Sequence, residues 1–594
     1  MLHYNRRCGQ NRHRAGGHAP PPRPYHVVPG LAESDLIQVA GAALRHYDEI
    51  CDPDYHYAPY VGASLGWPTP CFSHHRRDWI EVLPYPLIGR IAARRLTGYL
   101  GGAEIERRQR QLLLSAFHNV DGFAYPHYVR GWSERTRLCL WEQGRVMFAL
   151  LAWFEENRDE RVLAYVRGIV ADLMRIIHRE GGHRVIDAPY DTDGAFSVLS
   201  PASMVECLTK YAALSGDPDA LELCDGIIHS LLQPATGFTD SSHRLSGSLR
   251  GCAAAISGLT RYAVHVQDDR LLDRAEGLCR TALSLIAEGG ATPEEEPCCT
   301  LMEMTTALLA LTTAGRGDHW DTVDRWFRNT VVECQFRDPE ALHRGYAPGD
   351  PKPWDDTRDI VDRSLGGFFW ASPYEYLCWR IRLMTCCSGH AIWTLGKIAD
   401  HAVMEGPAGG ISVNLHYTLE TPLAAVCCHE PFAGRLEVVP ARTGPVRICL
   451  PSFAASVTVS IDGAKVPHVI RDGYVALDTV PAGAQVALNY PLPERHADQV
   501  VRVPQAAEGG TGAYFGPKAE PIVGHRIPTR WRGNTVMAID YEDGRSLRVL
   551  EGVPGPAPQQ PLHRLFATRE ARFAAGAGRD DPLACFLPEH RWTS

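Results

Sequence analysis

The residues best suited to chemistry in this chain lie in two short stretches that each contain adjacent cysteines. One pair is Cys298-Cys299, which follows the acidic run 294–296, and the other is Cys386-Cys387. Each pair stands at the start of a segment whose apolar residues have helical spacing. Thiolate and carboxylate groups at helix starts are what a soft-metal site or an activated cysteine nucleophile requires.

Zinc is the metal that these side chains indicate. Glu296 and Cys298 would supply a carboxylate and a thiolate, and Cys386 and Cys387 would supply two more thiolates from a turn. The net negative charge of such a set would leave one thiolate electron-rich, and therefore nucleophilic at neutral pH. The alternative is that these residues are ordinary buried thiols. A third pair, Cys427-Cys428, lies in strand-like sequence and is left out of the predicted site.

Other polar residues near these stretches are candidates for binding a substrate or moving a proton. The candidates for substrate contact are His243, in a Ser-rich and Gly-rich loop, His390, after the second cysteine pair, and Trp141, at a helix start. The carboxylates that could serve as a general acid are Glu288, Glu294, Glu295 and Glu303. Each has a structural interpretation too, because such histidines often cap helices, tryptophan is usually a core residue, and acids favour helix starts.

Paired helices are predicted over residues 25–405. Short turns recur about every fifty to sixty residues, near Gly98, Arg158, Gly216, Asp268 and Gly317, which is the length of two helices and their loops. About six hairpins must then stack to bury their apolar faces, either as an open solenoid or as a closed (α/α)6 toroid. Long irregular loops favour the toroid, where loops gather at one end around a central pocket.

The pattern of apolar residues changes after the Gly-Pro-Ala-Gly-Gly stretch at 406–410. Alternating apolar residues and two Asp-Gly turns predict a β-sandwich over 406–493. Residues 494–594 are predicted to form a second, small β unit with a Pro-rich tail, and residues 1–24 a flexible basic tail. The predicted fold class is therefore multidomain α+β, with an (α/α)6 barrel of helical hairpins followed by C-terminal β domains.

The charge, the apolar runs and the cysteine content of the chain limit its expected partners and its expected compartment. The chain has 594 residues and a formal net charge of -9, which gives no reason to expect nucleic acid as a partner. No apolar run is long enough to span a bilayer, so no membrane partner is expected. Eighteen cysteines without a signal-like segment indicate a reducing compartment, and we predict a cytoplasmic protein. The sequence is compatible with a homodimer.

Together these features resemble the β-L-arabinofuranosidase family, glycoside hydrolase family 127. The stretch WEQGRVMFALLAWFEENRDE is similar to the family's Trp-x-x-Gly-Arg helix. The stretch VRICLPSFAASVTVSIDGAKV is similar to its sandwich signature, with Ser452-Phe453 where the family often has Gly-Trp. The most specific part of the resemblance is the combination of Glu-x-Cys with Cys-Cys.

The resemblance implies a retaining hydrolase of a furanosidic, L-arabinofuranoside-like or related small glycoside. The implied Zn2+ ligands are Glu296, Cys298, Cys386 and Cys387, with Cys386 also attacking the anomeric carbon. The family's acid/base glutamate lies between a Gly-Gly turn and Glu-x-Cys. Because 289–290 is here followed almost at once by Glu294, the acid/base is Glu294, or Glu288, or is missing.

Two rival interpretations come from other function classes. One is a relative of the same family that binds zinc and a sugar without hydrolysing it, which a missing acid/base would produce. The other is a different zinc-thiolate enzyme on an α/α toroid, similar to the lanthionine cyclases. The predicted C-terminal β-sandwich argues against the second rival.

Overall fold

The computed structural model describes residues 35–66, 69–74, 78–98, 101–125, 138–180, 183–185, 199–236, 238–239, 241, 243, 245, 247–293, 296–337, 351–352, 354–374, 382–503, 522–540 and 546–548. The predicted tail 1–24 and the acid/base candidate Glu294 lie outside these ranges.

Helices dominate the first two thirds of the described chain. In order they are α1 (Leu36–Glu49), α2 (Pro84–Thr97), α3 (Ala103–Ser115), α4 (Leu140–Asn157), α5 (Glu160–Ile176), α6 (Val205–Ser215), α7 (Pro218–Leu231), α8 (Leu249–Val266), α9 (Asp269–Leu285), α10 (Pro297–Thr313), α11 (Trp320–Trp326), α12 (Ile360–Arg363) and α13 (Thr385–Ala402).

Six of these helices form a closed inner ring. Helices α2, α4, α6, α8, α10 and α13 each pack against the next, and α13 packs against α2. An outer layer surrounds them, in which α1, α3, α5, α7, α9 and α11 each contact an inner neighbour. The predicted (α/α)6 toroid is therefore confirmed, and the open solenoid is excluded because the ring closes.

The recurring turns of the sequence are the inner-to-outer connections of this barrel. After α4, α6 and α8, a residue with a left-handed φ is followed by an aspartate whose side chain caps the outer helix: Arg158-Asp159, Gly216-Asp217 and Gln267-Asp268. Such turns are two residues long. The longer outer-to-inner connections therefore gather at the other end, beside the N-termini of the inner helices.

Short strands line these longer connections. They are β1 (Cys51–Asp52), β2 (Ala58–Pro59), β3 (Gly62–Ser64), β4 (Cys71–Ser73), β5 (His178–Glu180), β6 (His183–Val185) and β7 (Arg382–Met384). Strands β4, β3 and β7 form one antiparallel sheet, in which Leu383 stands opposite Ala63. This sheet holds the residues that lead directly into α13.

A two-sheet sandwich follows α13 without a break. Its strands are β8 (Val403–Glu405), β9 (Ile411–Val413), β10 (Leu419–Glu420), β11 (Ala424–Cys428), β12 (Arg435–Pro440), β13 (Gly444–Cys449), β14 (Thr458–Ile461), β15 (Ala464–Lys465), β16 (Val469–Arg471), β17 (Tyr474–Val480) and β18 (Val486–Asn489). One sheet has the order β10-β11-β12-β18-β14-β15 and the other β16-β17-β13-β9-β8. The facing apolar residues of the two sheets merge with the core of the barrel.

A four-stranded antiparallel sheet completes the described chain. It consists of β19 (Glu494–Val503), β20 (Ile522–Arg532), β21 (Thr535–Asp540) and β22 (Ser546–Arg548). Asn534 donates to Asp324 at 3.0 Å, and the Gly289 amide donates to Gln499 at 2.6 Å, so this sheet is docked on the barrel. Among the described helices, none has the length and apolar character needed to cross a membrane.

Candidate functional site

The N-terminal ends of the six inner helices bring functional side chains to one end of the barrel. The second residues of these helices are Tyr85, Trp141, Glu206, Arg250, Cys298 and Cys386. Each inner helix follows an outer one through a long connection, so these first turns share an end. The polar groups of six distant sequence segments therefore meet only because the ring closes.

Backbone hydrogen bonds hold the two cysteine segments side by side. The Glu296 amide donates to the Trp370 carbonyl at 2.8 Å, and the Trp370 amide donates to the Arg382 carbonyl at 2.9 Å. The Thr385 hydroxyl donates to the Tyr60 carbonyl at 2.6 Å, at the first residue of α13. Residue 370 thus bridges the start of α10 to the start of α13.

Three sulfurs converge where these helices begin. The Sγ atoms of Cys299, Cys386 and Cys387 all lie within 4.8 Å of one another, and the Cys299–Cys387 distance is 3.9 Å. Cys299 and Cys387 are buried, whereas Cys386 keeps partial exposure. Two sulfurs bound to one tetrahedral zinc at roughly 2.3 Å each are about 3.8 Å apart. The observed spacing therefore fits a shared metal ion.

The sulfur that the first segment brings to this group is that of Cys299, whereas the family resemblance implies Cys298 as the ligand. Adjacent side chains on an α-helix point about 100° apart. On α10 the two neighbours face different surroundings, and the proximity of Cys334 together with burial raises the pKa of Cys298 well above its usual value. The phase of α10 decides which of the two sulfurs faces α13, and the Glu-x-Cys spacing does not contain that information.

Glu296 stands beside the sulfur group without belonging to it. Its carboxylate accepts a hydrogen bond from Arg250 Nη1, and its backbone is left-handed, with φ 65°. Burial would lower the pKa of Arg250, but the charges of Glu296 and Cys299 more than offset this and raise it well above the usual value. Arg250 thus lies between the carboxylate and the thiols.

The three thiols differ in acidity. Hydrogen bonds from Cys299 and then Cys387, helped by the Arg250 guanidinium, hold the pKa of Cys386 well below its usual value. Burial raises the pKa of both Cys299 and Cys387. Within the cluster, Cys386 is therefore the most acidic thiol.

His390 lies against the sulfurs, as its position after the cysteine pair suggested. Its Nδ1 is 3.1 Å from Cys299 Sγ and 3.0 Å from the Cys386 carbonyl oxygen. The imidazole is buried, with its ring centroid 4.6 Å from that of Tyr85. Burial and the nearby Arg145 lower the pKa of His390 well below its usual value, so the ring is neutral.

A buried ion pair lies under Trp141. Arg145 Nη2 donates to Glu303 Oε1 at 3.0 Å, and both side chains are at most 4% exposed. The Cζ atoms of Arg145 and Arg250 lie 4.3 and 5.4 Å from the centroid of the Trp141 ring. Arg145 is the arginine of the Trp-x-x-Gly-Arg stretch that carries part of the family resemblance. Arg250 was not predicted as a site residue, because its position at the start of an apolar helix is too common to indicate function.

Two predicted site residues are not brought to the sulfurs. His243 packs on the outer helix α9, where a Cβ at Gly277 would lie 2.5 Å from its Cε1 atom. Its Nδ1 is 3.0 Å from Arg274. Glu288 is exposed and accepts two hydrogen bonds, at 2.6 and 3.1 Å, from Arg495 of β19.

Comparison with known proteins gives a likeness in structure alone. No protein-family profile and no curated protein matches the sequence. A family 127 β-L-arabinofuranosidase from Geobacillus stearothermophilus T6 superposes with a TM-score of 0.50 and 16% identity, over 86% of this chain and 81% of that one. A family 127 β-arabinofuranosidase gives a TM-score of 0.55 and 13% identity, over 88% and 86%. A third structure, described as a glycoside hydrolase, gives 0.51 and 14%, over 77% of each chain. The expected resemblance to this family is confirmed at the level of the fold.

Proposed function

We propose that this protein is a retaining zinc-thiolate glycoside hydrolase that acts on a furanosidic, L-arabinofuranoside-like small glycoside. One observation carries the proposal. Cys299, Cys386 and Cys387 converge at the loop-bearing end of an (α/α)6 barrel. Solved family 127 β-arabinofuranosidases have a similar fold.

The residues present fit a zinc ion. Cys299, Cys386 and Cys387 would hold it, since their sulfurs have the spacing of tetrahedral ligands. A bound zinc ion would keep these thiols deprotonated at neutral pH. Glu296, the ligand that the family resemblance implies, would have to turn away from Arg250 to complete the set.

Cys386 is the proposed nucleophile because the family resemblance implies it, and because hydrogen bonds from Cys299 and Cys387 hold its pKa well below its usual value. Its sulfur attacks the anomeric carbon while the bond from that carbon to the leaving oxygen breaks, and a carboxyl group donates its proton to that oxygen. Water then attacks the same carbon, the carboxylate takes the proton from the water, and the carbon–sulfur bond breaks. Two inversions at one carbon retain its configuration.

Glu294 is the proposed acid/base. It lies in the sequence between 289–290 and Glu296, the stretch in which the family resemblance implies the acid/base. The other predicted candidate, Glu288, is bound to Arg495 on the surface of the barrel. Exchange of Glu294 for Gln should slow hydrolysis of glycosides with poor leaving groups far more than that of activated aryl glycosides, since only the former need the proton.

Three buried polar groups are suited to binding the sugar. Tyr85 Oη, His390 Nε2 and Arg145 Nη1 have no hydrogen-bond partner within the part of the chain that the structure describes. Buried polar atoms are almost always hydrogen-bonded, and a substrate can supply the missing partner. We therefore assign sugar hydroxyl contacts to these groups, with the Trp141 ring packed against the Arg145 guanidinium group.

The decisive experiment compares Cys386→Ser with Cys298→Ser in the full-length protein. The wild type should bind zinc and hydrolyse an aryl β-L-arabinofuranoside. Cys386→Ser should lower kcat on the order of 10³-fold or more, because hydroxyl is a far weaker nucleophile than thiolate here. Cys298→Ser should retain activity. Undiminished turnover by Cys386→Ser would rule out the nucleophile.

A second outcome separates the hydrolase from its non-catalytic alternative. If the wild type binds zinc at the barrel cysteines but turns over no member of a pentofuranoside and hexoside panel, the protein is a sugar-binding relative. Isothermal titration with the same sugars would then identify the ligand.

A further inference from the structure

A second group of metal-ligating side chains lies in the sandwich, far along the chain from the barrel cysteines. Cys427 of β11 stands directly opposite Glu437 of β12, and His429 follows β11 by one residue. Side chains alternate along a strand, so residues 427 and 429 point to the same face. The cross-strand partner of Cys427 points to that face as well. The register of one strand pair therefore gathers a thiol, an imidazole and a carboxylate.

The distances within this group match those between the ligands of one metal ion. Cys427 Sγ is 3.7 Å from His429 Nε2, and His429 Nε2 is 3.6 Å from Glu437 Oε2. All three ligand atoms lie within 4.8 Å of one another. In tetrahedral zinc sites the sulfur, nitrogen and oxygen ligands are about 3.3–3.6 Å apart. The two measured distances that involve His429 are therefore within about 0.3 Å of those in such a site.

Arg435 orients the carboxylate of this group. Its Nε and Nη2 atoms both donate to Oε1 of Glu437, at 2.8 and 2.6 Å. The other oxygen, Oε2, is the one directed toward His429. Outer partners that fix one oxygen of a ligating carboxylate are a regular part of metal sites.

The three side chains of this group differ in their exposure to solvent. Cys427 is 2% exposed, whereas the side chains of His429 and Glu437 are 24% and 14% exposed. A metal bound here would have its thiolate on the inner side and its imidazole and carboxylate toward solvent. An ion can therefore enter from solvent while the most oxidisable ligand stays protected.

We propose that Cys427, His429 and Glu437 bind a second zinc ion, which joins β11 to β12 and is independent of the barrel cysteines. Zinc is the metal that this mixture of thiolate, imidazole and carboxylate favours. Binding replaces the thiol proton of Cys427, which is released to solvent. The inference does not depend on hydrolase activity.

Zinc content of the full-length protein tests the proposal. After equilibration in zinc buffer and gel filtration, elemental analysis of the wild type should find two zinc ions per chain. His429→Ala should lower the content by one, and the matched control His468→Ala, which changes a histidine between β15 and β16, should leave it unchanged. Equal zinc in His429→Ala and the wild type would overturn the proposal, as would a wild type without zinc.

A spectroscopic measurement distinguishes this site from the barrel site. In a Cys387→Ala background, which disrupts the barrel cluster, cobalt should still give a thiolate-to-metal charge-transfer band. Adding Cys427→Ser should abolish that band. If the band survives this second exchange, the sandwich site is wrong. If Cys387→Ala alone does not lower the zinc content, the barrel site fails and the sandwich site stands.

Discussion

The chain carries three Cys-Cys pairs, and the two regions that contain them use their sulfurs differently. On α13 both Cys386 and Cys387 join the barrel cluster, whereas α10 contributes Cys299 alone. On β11 the two sulfurs point to opposite faces, so Cys427 meets His429 and its neighbour enters the sandwich core. Adjacent residues rotate by about 100° on a helix and by about 180° on a strand. A dipeptide can therefore give two ligands from a helix start but only one to each face of a strand.

The barrel cluster and the sandwich cluster also differ in the arginines that lie beside them and in how deeply those arginines are buried. The barrel cluster lies beside two buried guanidinium groups, Arg145 and Arg250, each paired with a glutamate. The sandwich cluster has one arginine, Arg435, and that side chain is 40% exposed. Charges in a buried setting act strongly on a bound substrate, whereas those near solvent are screened. The barrel is thus suited to chemistry and the sandwich to holding an ion.

The largest expected effect separates the two cysteines at the start of α10. Cys299→Ala should remove zinc from the barrel and abolish hydrolysis, because one of three convergent sulfurs is lost. Cys298→Ala should retain both, since its thiol faces Cys334. Zinc analysis and kcat measured on the two variants check this. If Cys298→Ala loses the zinc instead, the helical phase that underlies the comparison is wrong.

The next effect compares the arginines of the two regions. Arg145→Met should destabilise the protein by about 3–5 kcal/mol at neutral pH, because it leaves the buried Glu303 carboxyl group without its counter-charge. Arg435→Met should cost less than about 1 kcal/mol, as expected for a half-exposed pair. Urea unfolding monitored by circular dichroism would measure both. Equal costs would remove the distinction between a buried and an exposed cluster.

The Arg145→Met effect should also depend on pH. Burial already raises the pKa of Glu303, and Arg145 is the group that opposes this shift. Without Arg145 the folded-state pKa rises further above the unfolded value. An acid with a raised folded-state pKa is destabilising when pH exceeds its unfolded pKa. The loss of stability should therefore be smaller at pH 5 than at pH 7.

A third prediction concerns the contact that positions the second cysteine pair. A Cβ on Gly389 of α13 would lie 2.3 Å from the Cβ of Tyr85 and 2.9 Å from its Cα. Gly389→Ala should therefore force α13 away from α2 and cost about 1–3 kcal/mol. Gly41→Ala on α1, where nothing lies within 4 Å, should stabilise by about 0.5–1 kcal/mol. Thermal melts that move in the same direction would contradict this packing.

The smallest effect is expected on the barrel surface. Glu288 and Arg495 join the barrel to the four-stranded sheet, with side chains 40% and 38% exposed. Arg495→Ala should change the free energy of unfolding by no more than about 1 kcal/mol, because solvent screens the pair. A loss as large as that expected for Arg145→Met would show that this junction, and not the barrel interior, carries the charge-dependent stability.

The architecture was predictable because its signals are local. Each inner-to-outer turn contains the residue that ends one helix and the residue that begins the next. In Gly216-Asp217, a left-handed glycine ends α6 and the aspartate caps the start of α7. Alternation and Asp-Gly turns likewise marked the sandwich strands. The barrel then follows because hairpins with one apolar face must stack.

The site was predictable only in part, because its geometry depends on partners far along the chain. The choice of Cys299 over Cys298 depends on where α10 begins relative to α13. The sequence allowed Glu288 as the general acid. In the fold its carboxylate binds Arg495, which lies 207 residues later in the chain. Cys427 was set aside for lying in a strand, and only the register with β12 places Glu437 opposite it.

The backbone bridge at Trp370 has a consequence for how this centre can change. One peptide residue ties the α10 segment to the α13 segment through its carbonyl and its amide, and neither hydrogen bond uses a side chain. The separation of the sulfur-bearing helices is therefore insensitive to which residues occupy the surrounding loops. Substitutions in those loops can change the surface around the sulfurs while the sulfurs keep their spacing. Loop substitutions can therefore change which molecules bind beside the sulfurs without changing the geometry of the sulfurs themselves.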